Sequence, residues 1–296
     1  MFDEPHGLSL VVTADDFGIG RSTSEGIVRA HREGPVTATS AMVVTGDRIK
    51  ASLPLLEGAP DLEVGLHLVL TGSGERPLAG LGLASGLVGR DGQFLSNGRM
   101  WAKAWTGKLS RAAVADEMAA QAEAFEKLLG RPPAYVDAHH HAHQLPIIRE
   151  ALVELTGAGV LPAVTRLTIE PPGMLRRVAG VRIKRAAADF LGKSAAGRFG
   201  HAGIVASRHY FGMIGAAELS REWPWSAYFE NLPLHGVVEW VVHPGERDDE
   251  LAGRDSYVLG RTRELAALVK PANRRWWDRP GIVRTTKGAL YTGART

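Results

Sequence analysis

Four histidines lie within five residues, at positions 139, 140, 141 and 143, in a stretch that we call the histidine segment (residues 137–143, DAHHHAH). If this segment is extended, side chains alternate between two faces, so the odd-numbered residues share one face and His140 points to the other. Neutral imidazole is the commonest metal ligand in proteins, and it also titrates near neutral pH. The segment therefore predicts a metal site, an acid–base site or both.

Other polar residues follow or lie within apolar segments elsewhere in the chain. Asp15 and Asp16 end a first apolar run, His67 lies in a second, and His243 directly follows a third. Taken singly, an Asp pair after a strand is often a helix cap, and a histidine in an apolar strand is often a core residue. Together with the histidine segment, however, two acids and several imidazoles make a workable set of oxygen and nitrogen ligands for a metal.

The elements that must position these residues alternate between strand-like and helix-like patterns. Apolar runs predict strands at residues 8–13, 36–44, 63–70, 134–141, 160–167, 204–209, 236–242 and 281–285. Amphipathic patterns predict helices at 22–33, 48–56, 111–129, 146–155, 176–198 and 257–269. Such alternation is typical of parallel sheets with helical crossovers.

The fold class that we predict is α/β, an irregular TIM-like (β/α) barrel with seven or eight mostly parallel strands. No Gly-x-Gly-x-x-Gly follows the first strand and no phosphate loop is present, so nucleotide-binding open sheets are disfavoured. In barrels of this type the chemistry lies at the C-terminal ends of the strands, which is where the polar residues fall. We expect a single barrel domain over residues 1–296. A long, Gly-rich inserted loop at about 71–109, with Trp101 and Trp105, is the candidate for a substrate lid or a dimer contact.

Composition narrows the class of protein further. With 296 residues, 45% hydrophobic, the chain can bury a large core, and the absence of cysteine excludes disulfides and thiolate metal sites. We read no signal peptide and no membrane-spanning run, and we expect a cytoplasmic protein.

The net charge of +3 is partly local, with seven basic residues and one acid, Asp189, between 176 and 198. A solvated helix face is the favoured interpretation, and a surface for anionic lipid or an acidic polymer is the alternative. Aromatic residues do not interleave with these charges, so we expect no nucleic-acid partner.

Four segments resemble, in order and spacing, the motifs of the YdjC-like carbohydrate deacetylases, the chitooligosaccharide deacetylase group. They are residues 14–18 (ADDFG), 65–67 (GLH), 137–143 (DAHHHAH) and 243–245 (HPG). The resemblance implies a TIM-like barrel, one divalent metal ion (Mg²⁺ or Zn²⁺) and hydrolysis of an N-acetyl group from an amino sugar with release of acetate. Ala138 stands where the family usually has a serine, which should not disturb the ligands.

The resemblance also implies a division of labour among the polar residues. Asp16, His67 and His139 would be the metal ligands, with Asp15 beside them as the base. An Asp/His/His set leaves positions on a metal open for water and a substrate carbonyl, as a hydrolytic site needs. His243 is the preferred acid that protonates the leaving amine, and His141 is a weaker candidate.

Further residues are assigned to the surroundings of the site. Asp137 could orient an imidazole through its second nitrogen, and His143 could line the cleft, whereas His140 is expected to be structural. Arg166 could grip the substrate or form a structural ion pair. Glu239 is expected in a buried pair rather than in direct catalysis. Four tryptophans could stack on sugars, although core or subunit packing is the favoured interpretation, and they are Trp223, Trp225, Trp276 and Trp277.

Two other classes of function stay open at this point. One is another metal-dependent barrel hydrolase, acting on a phosphoester or a cyclic amide, and the other is a non-catalytic sugar-binding protein. Retention of Asp15 argues against pure binding, which needs no base. The expected partner is an N-acetylated amino-sugar substrate, either an oligosaccharide or a lipid-linked glycan as in the hopanoid-associated branch of the family. We also expect a homodimer, and peripheral membrane contact through the basic stretch stays open as the alternative to a solvated helix face.

Overall fold

Nine strands and eleven α-helices occur in the residues that the computed structural model describes, which are 7–72, 74–249, 251–255 and 257–292. The strands are β1 (Leu8–Phe17), β2 (Ala38–Ala41), β3 (Glu63–Leu68), β4 (Val136–Ala138), β5 (Val164–Thr165), β6 (Val205–Ala206), β7 (His209–Phe211), β8 (Gly236–Val242) and β9 (Ile282–Thr285). The helices are α1 (Arg21–Glu33), α2 (Asp47–Ser52), α3 (Asn97–Trp105), α4 (Arg111–Leu129), α5 (Pro146–Gly157), α6 (Met174–Arg177), α7 (Arg182–His201), α8 (Ala216–Leu219), α9 (Ser226–Phe229), α10 (Val258–Val269) and α11 (Lys287–Thr292).

Seven strands form one curled parallel sheet in the order β4-β3-β2-β1-β8-β7, with β9 beside β1. Strand β8 occupies one edge of β1 from Leu8 to Ala14. The other edge of β1 is shared, because β9 pairs with its first half and β2 with its second half. The separate pair β5–β6 joins the curl at β4, where Thr165 Oγ1 donates to the carbonyl oxygen of Val136 at 2.6 Å. This half-barrel confirms the predicted α/β class with mostly parallel strands.

The two faces of β1 show how the fold separates an apolar layer from a polar interior. All ten residues of β1 are buried, and its even-numbered residues from Leu8 to Ala14 belong to the main hydrophobic core. The odd-numbered residues point to the other face, where Val11 packs on Tyr135 and Thr13 bonds Glu239. The interior of the curl is therefore polar and charged. Buried charges are tolerated only when they are paired, which places strict demands on this interior.

Several predicted elements are shorter or more regular than the sequence pattern indicated. Strand β4 ends at Ala138 instead of 141, and β5 keeps two residues of the predicted 160–167. The region 71–109 is not a continuous irregular loop, because it contains α3, whose Met100 and Ala104 are buried in the main core. None of the helices in the described ranges combines the length and apolar composition that crossing a membrane requires.

Candidate metal centre and acid–base site

Adjacent carboxylates at the end of β1 point in different directions because side chains alternate along a strand, and the backbone is also irregular there. The pairing with β2 shifts register between Ala14 and Phe17, and Asp16 has a positive φ of 71°. Aspartate adopts this left-handed conformation more readily than most non-glycine residues. As a result Asp15 contacts Arg166 inside the curl, whereas Asp16 contacts His67 and His139. The local backbone thus gives two neighbouring acids two different sets of partners.

Asp16, His67 and His139 form the first cluster that could hold a metal ion. Asp16 Oδ1 lies 3.4 Å from His67 Nε2 and 3.1 Å from His139 Nδ1. Ligand atoms about 2.1 Å from one ion, at tetrahedral angles, are about 3.4 Å apart. Two imidazole nitrogens and one carboxylate oxygen at this spacing therefore fit a single divalent ion with open positions. Asp16 and His67 are buried and His139 is partly exposed, so the cluster opens to solvent on the side of His139.

A second group of possible ligands comprises Asp15, His67 and Asp137. Its two carboxylates already have partners. Asp15 accepts hydrogen bonds from both terminal nitrogens of Arg166, and Asp137 accepts one from His67 Nδ1 at 2.7 Å. All three residues are buried. The first cluster is therefore the better candidate for a metal ion, and it is the set of ligands that the family resemblance implied.

Two side chains orient the ligands of the first cluster. The bond from His67 Nδ1 to Asp137 turns the other ring nitrogen, Nε2, toward Asp16. Arg261 Nη2 donates to Asp16 Oδ2 at 2.6 Å, which leaves Oδ1 facing the two histidines. Partners of this kind fix ligand orientation at metal sites. Asp137 therefore does what the sequence predicted, whereas Arg261 was missed.

A sequence signal for Arg261 did exist. It lies four and seven residues before Leu265 and Leu268, on the buried face of α10, and a charged residue on such a face needs a partner. Its side chain is 3% exposed and also donates from Nε to Asp255 at 2.7 Å.

Arg166 lies inside the curled sheet and forms a bidentate ion pair with Asp15. It donates from Nη1 to Asp15 Oδ2 at 2.7 Å and from Nη2 to Asp15 Oδ1 at 2.8 Å, and its Nε donates to Glu239 at 2.9 Å. Its Nη2 also lies 2.7 Å from Asp137 Oδ2. The side chain of Arg166 is completely buried and forms ion pairs, which favours the structural ion pair over contact with substrate. Glu239 is likewise in the buried pair that the sequence predicted.

The C-terminal segment adds a second buried cation to this interior. Lys287 Nζ lies 2.8 Å from Glu239 Oε1, 3.8 Å from Asp137 Oδ2 and 3.7 Å from the centre of the Tyr135 ring. Glu63 accepts from the backbone N–H groups of Lys287 and Gly288, which fixes the start of α11. Nothing in the sequence distinguishes this lysine from a surface lysine, and our sequence analysis missed it.

The charges around His67 favour a positive charge between Asp16 and Asp137. Burial opposes the ionised form of Asp16, but Arg261 and His139 outweigh it and hold the pKa of Asp16 well below its usual value. Burial likewise opposes ionised Asp137, yet Arg166 and His67 keep the pKa of Asp137 low. For His67, burial favours the neutral ring, but Asp15 and Asp137 raise its pKa to about 10. A position that stabilises a proton this strongly suits a divalent cation.

The histidine segment is not an extended strand beyond His139. Residues His139–Gln144 form a short 3₁₀ turn, in which His140 and His141 have positive φ values of 55° and 57°. Alternation therefore holds from Asp137 to His139, which both contact the Asp16–His67 pair, and then stops. The chain must turn away at the rim of the sheet, and the period-two pattern cannot show where that happens.

The remaining histidines of the segment have separate surroundings. His140 is exposed, and its ring lies 3.9 Å from that of His139. Its structural role stays a prediction. His141 Nε2 is 3.3 Å from the hydroxyl of Tyr210. His143 is fully buried and its Nε2 donates to the carbonyl oxygen of Arg166 at 2.9 Å, so the prediction that it lines the cleft is wrong.

His243 directly follows β8 and is half-buried. Its backbone N–H donates to Glu264 Oε2 at 2.6 Å, and its ring lies 5.7 Å from the ring of Tyr257. Among the described residues, no side chain hydrogen-bonds to its ring. Its role as acid stays a prediction.

The four tryptophans that the sequence singled out pack inside the protein rather than against a sugar site. Trp223 contacts the rings of Trp225, Trp276 and Trp277, and Trp240 of β8 lies at the centre of the group. Trp225 and Trp240 are fully buried. This packing agrees with the favoured interpretation, core or subunit packing, although Trp276 is partly exposed.

Comparison with known proteins agrees with the motifs. The family model described as YdjC-like protein matches residues 9–279. Chitooligosaccharide deacetylases of Yersinia enterocolitica and Yersinia pestis (strain Pestoides F) are 40% and 39% identical over 139 residues. Each match covers 47% of this chain and 52% of the relative, so the chain spans about half the length of these curated relatives.

A solved structure has a similar fold. A candidate cellobiose-phosphate cleavage protein from Enterococcus faecalis V583 superimposes with a TM-score of 0.76 over 96% of this chain and 99% of its own. The two sequences are 22% identical, so this likeness concerns the fold alone.

Proposed function

Because the chain belongs to the YdjC-like family, we propose that it is a metal-dependent carbohydrate N-deacetylase, which hydrolyses the acetamide of an amino sugar and releases acetate. The observation that carries the proposal is the pairing of two adjacent acids with different partners. Asp16 faces two imidazoles at ligand spacing, while Asp15 accepts two hydrogen bonds from Arg166. A binding protein has no need of this second acid.

Asp16, His67 and His139 would hold one divalent ion. When bound, such an ion polarises a carbonyl oxygen and makes water a stronger nucleophile at neutral pH. Imidazole ligands favour Zn²⁺ on softness, whereas a carboxylate with several waters is acceptable to Mg²⁺. Arg261 and Asp137 contribute by orienting the carboxylate and the His67 ring before the ion arrives.

Asp15 is the proposed general base. Arg166 occupies one lone pair on each of its oxygens and leaves the others free to accept a proton from the attacking water. The same two bonds fix the plane of the carboxylate, so the base does not have to be ordered during the reaction. General base catalysis by such a group typically contributes about 10²–10⁴-fold.

His243 is the proposed acid that protonates the departing amine. It stands at the end of a strand that neighbours β1, and its half-buried ring has no hydrogen-bond partner among the described residues. The bond from its N–H to Glu264 anchors its backbone. His141 is less suitable, because its Nε2 faces Tyr210 and burial lowers its pKa well below the usual value.

An acetate-release assay on metal-stripped protein tests the proposal. The panel comprises chito-oligosaccharides, N-acetylglucosamine and an O-acetylated sugar, each with Zn²⁺, Mg²⁺, Mn²⁺ or Co²⁺ added back. We expect release from an N-acetylated sugar with at least one metal, and its loss on adding a chelator. Absence of acetate from every N-acetylated sugar with every metal, or release from the O-acetylated sugar alone, would contradict the proposal.

A further inference from the structure

An exposed apolar surface lies where α3 meets α7, which we call the α3–α7 surface (Trp105, Ile183, Ala187 and Phe190). The ring of Trp105 stacks on that of Phe190, with centroids 6.5 Å apart. Trp105 is 49% exposed, Phe190 62% and Ile183 88%. Ile183, Ala187 and Phe190 follow one another at helical spacing on a single face of α7. Exposed apolar patches built this way usually mark an interaction site.

Most charges around this surface are basic. Residues 97–110, which include α3, contain Arg99, Lys103 and Lys108 and no acid. Between residues 176 and 198 the single acid, Asp189, is buried and paired with Lys193. In the part of the chain that the structure describes, Arg182 and Lys184, next to Ile183, have no carboxylate partner.

Acids on the neighbouring helix α5 do not cancel these charges. Glu150 pairs with Arg198 at 2.8 Å, and Glu154 pairs with Arg111 at 2.5 Å, so both are already neutralised. The surface therefore has an apolar centre and a mostly basic border. One acid, Glu218, lies beside Gly180 near the start of α7 and accepts from the backbone N–H of Gly215.

We propose that the α3–α7 surface binds the face of an anionic lipid bilayer. Ile183, Phe190 and Trp105 would enter the boundary between headgroups and acyl chains, and the surrounding Arg and Lys side chains would contact lipid phosphates. An apolar helix face with Lys and Arg beside it is the pattern that lies in membrane interfaces, and indole rings favour that depth. Each basic side chain near an anionic leaflet adds to the attraction, which salt screens.

Other occupants of this surface fit less well. A symmetric dimer would place the same patch against itself, so the basic borders of two copies would face each other. Single-stranded nucleic acid binds to aromatic rings that are free to stack with bases, whereas Trp105 and Phe190 stack with each other and Ile183 is aliphatic.

The position of α7 connects this surface to the candidate centre. Thr168, two residues after Arg166, donates from its hydroxyl to the carbonyl oxygen of Ala188 in α7. The helix is thus bonded to the segment that supplies the guanidinium beneath Asp15. Attachment to a bilayer would hold the candidate site close to the membrane surface.

Vesicle co-sedimentation of the full chain tests the proposal without any activity. The vesicles are pure phosphatidylcholine, or phosphatidylcholine with 30 mol% phosphatidylglycerol as an about one-third anionic surface. We expect binding to the anionic vesicles only, and weaker binding as salt rises. Ile183→Ser with Phe190→Ser should lower the partition coefficient by about tenfold or more, and Arg182→Gln with Lys184→Gln should lower it on anionic vesicles.

A matched control comes from exposed leucines elsewhere. Leu234 is 89% exposed and Leu259 is 63% exposed, so Leu234→Ser with Leu259→Ser removes similar apolar area away from the proposed surface. This control should bind like the wild type, and circular dichroism should show that all variants are folded. The proposal is overturned if the wild type fails to bind anionic vesicles, or if the control loses as much binding as Ile183→Ser/Phe190→Ser. It is also overturned if the surface variant instead dissociates a dimer, or if an oligonucleotide binds and vesicles do not.

Discussion

Arg166 and Asp15 form a bidentate ion pair in the interior of the curled sheet, with donor–acceptor distances of 2.7 and 2.8 Å. The pair separates the functions of two adjacent acids, because it keeps Asp15 in place while Asp16 faces His67 and His139. Glu239 and Asp137 also contact the same guanidinium, so a single cation organises three buried carboxylates. Removal of any one of these groups leaves a buried charge without its full set of partners.

Replacing Arg166 by lysine should impair turnover more than substrate binding. Lysine keeps the charge but cannot donate two parallel hydrogen bonds, so the Asp15 carboxylate loses its fixed plane. We expect kcat for acetate release to fall about 10–100-fold with little change in KM. We also expect the free energy of unfolding in urea to fall by about 2 kcal/mol.

Arg185 offers a matched control for this substitution. It is 1% exposed and donates from Nε and Nη2 to the two oxygens of Glu170, at 2.6 Å each, without contacting the carboxylates of the candidate centre. Arg185→Lys should lower stability to a similar extent and leave kcat unchanged. Equal losses of kcat in the two variants would show that Arg166 supports the fold and not the base.

Asp137→Asn should weaken metal binding. The carboxylate accepts from His67 Nδ1 at 2.7 Å, and an amide in its place fixes the ring less firmly and loses the negative charge. Partners of metal-bound histidines contribute about 10–100-fold to affinity. We expect a loss of this size in a Zn²⁺ competition titration with a chromophoric chelator.

Ser40→Ala serves as the control for Asp137→Asn. Ser40 Oγ donates to Asp137 Oδ2 at 2.9 Å, so alanine removes a neutral bond from the same carboxylate while the bond to His67 remains. Zn²⁺ affinity should change less than about threefold, because only a neutral hydrogen bond is lost. If both variants bind Zn²⁺ as tightly as the wild type, Asp137 does not position a ligand.

Lys287→Met should destabilise the protein although the residue is outside the matched family region, which ends at residue 279. The ammonium group is buried beside Glu239 and Asp137, and breaking a buried pair typically costs about 3 kcal/mol or more. We expect a clearly lower urea midpoint. Lys127→Met removes a lysine whose side chain is 71% exposed and paired with Glu123 in α4, and it should leave the midpoint unchanged. A wild-type midpoint for Lys287→Met would contradict the buried pairing.

The sequence predicted the parts of the site that short motifs carry. Parallel strands bring their C-terminal ends to one rim, which predicted that the polar residues cluster there. The family resemblance singled out Asp16, His67 and His139, and the structure brings these three side chains within ligand spacing. Alternation in β4 also predicted that Asp137 and His139 share a face. It did not predict the turn at His140, because apolar periodicity carries no information on where a short strand ends.

The buried cations beneath the site were harder to predict. Arg166 was recognised as a candidate, but its burial depends on Asp15, Glu239 and Asp137, which come from three different strands. Lys287 reaches the interior only because β9 pairs with the first half of β1 and Glu63 fixes the following helix. Such long-range pairing leaves no local pattern, so the sequence of α11 alone reads as an ordinary terminal helix.

The central claim is that Asp15 acts as the general base and Asp16 as a metal ligand. Its most direct test is to measure metal content and acetate release side by side for Asp15→Asn and Asp16→Asn. We predict that Asp15→Asn keeps the wild-type metal content and loses about 10²–10⁴-fold in kcat, while Asp16→Asn loses both. If Asp15→Asn stays within about threefold of the wild-type rate, a factor well below that expected for general base catalysis, the account is contradicted.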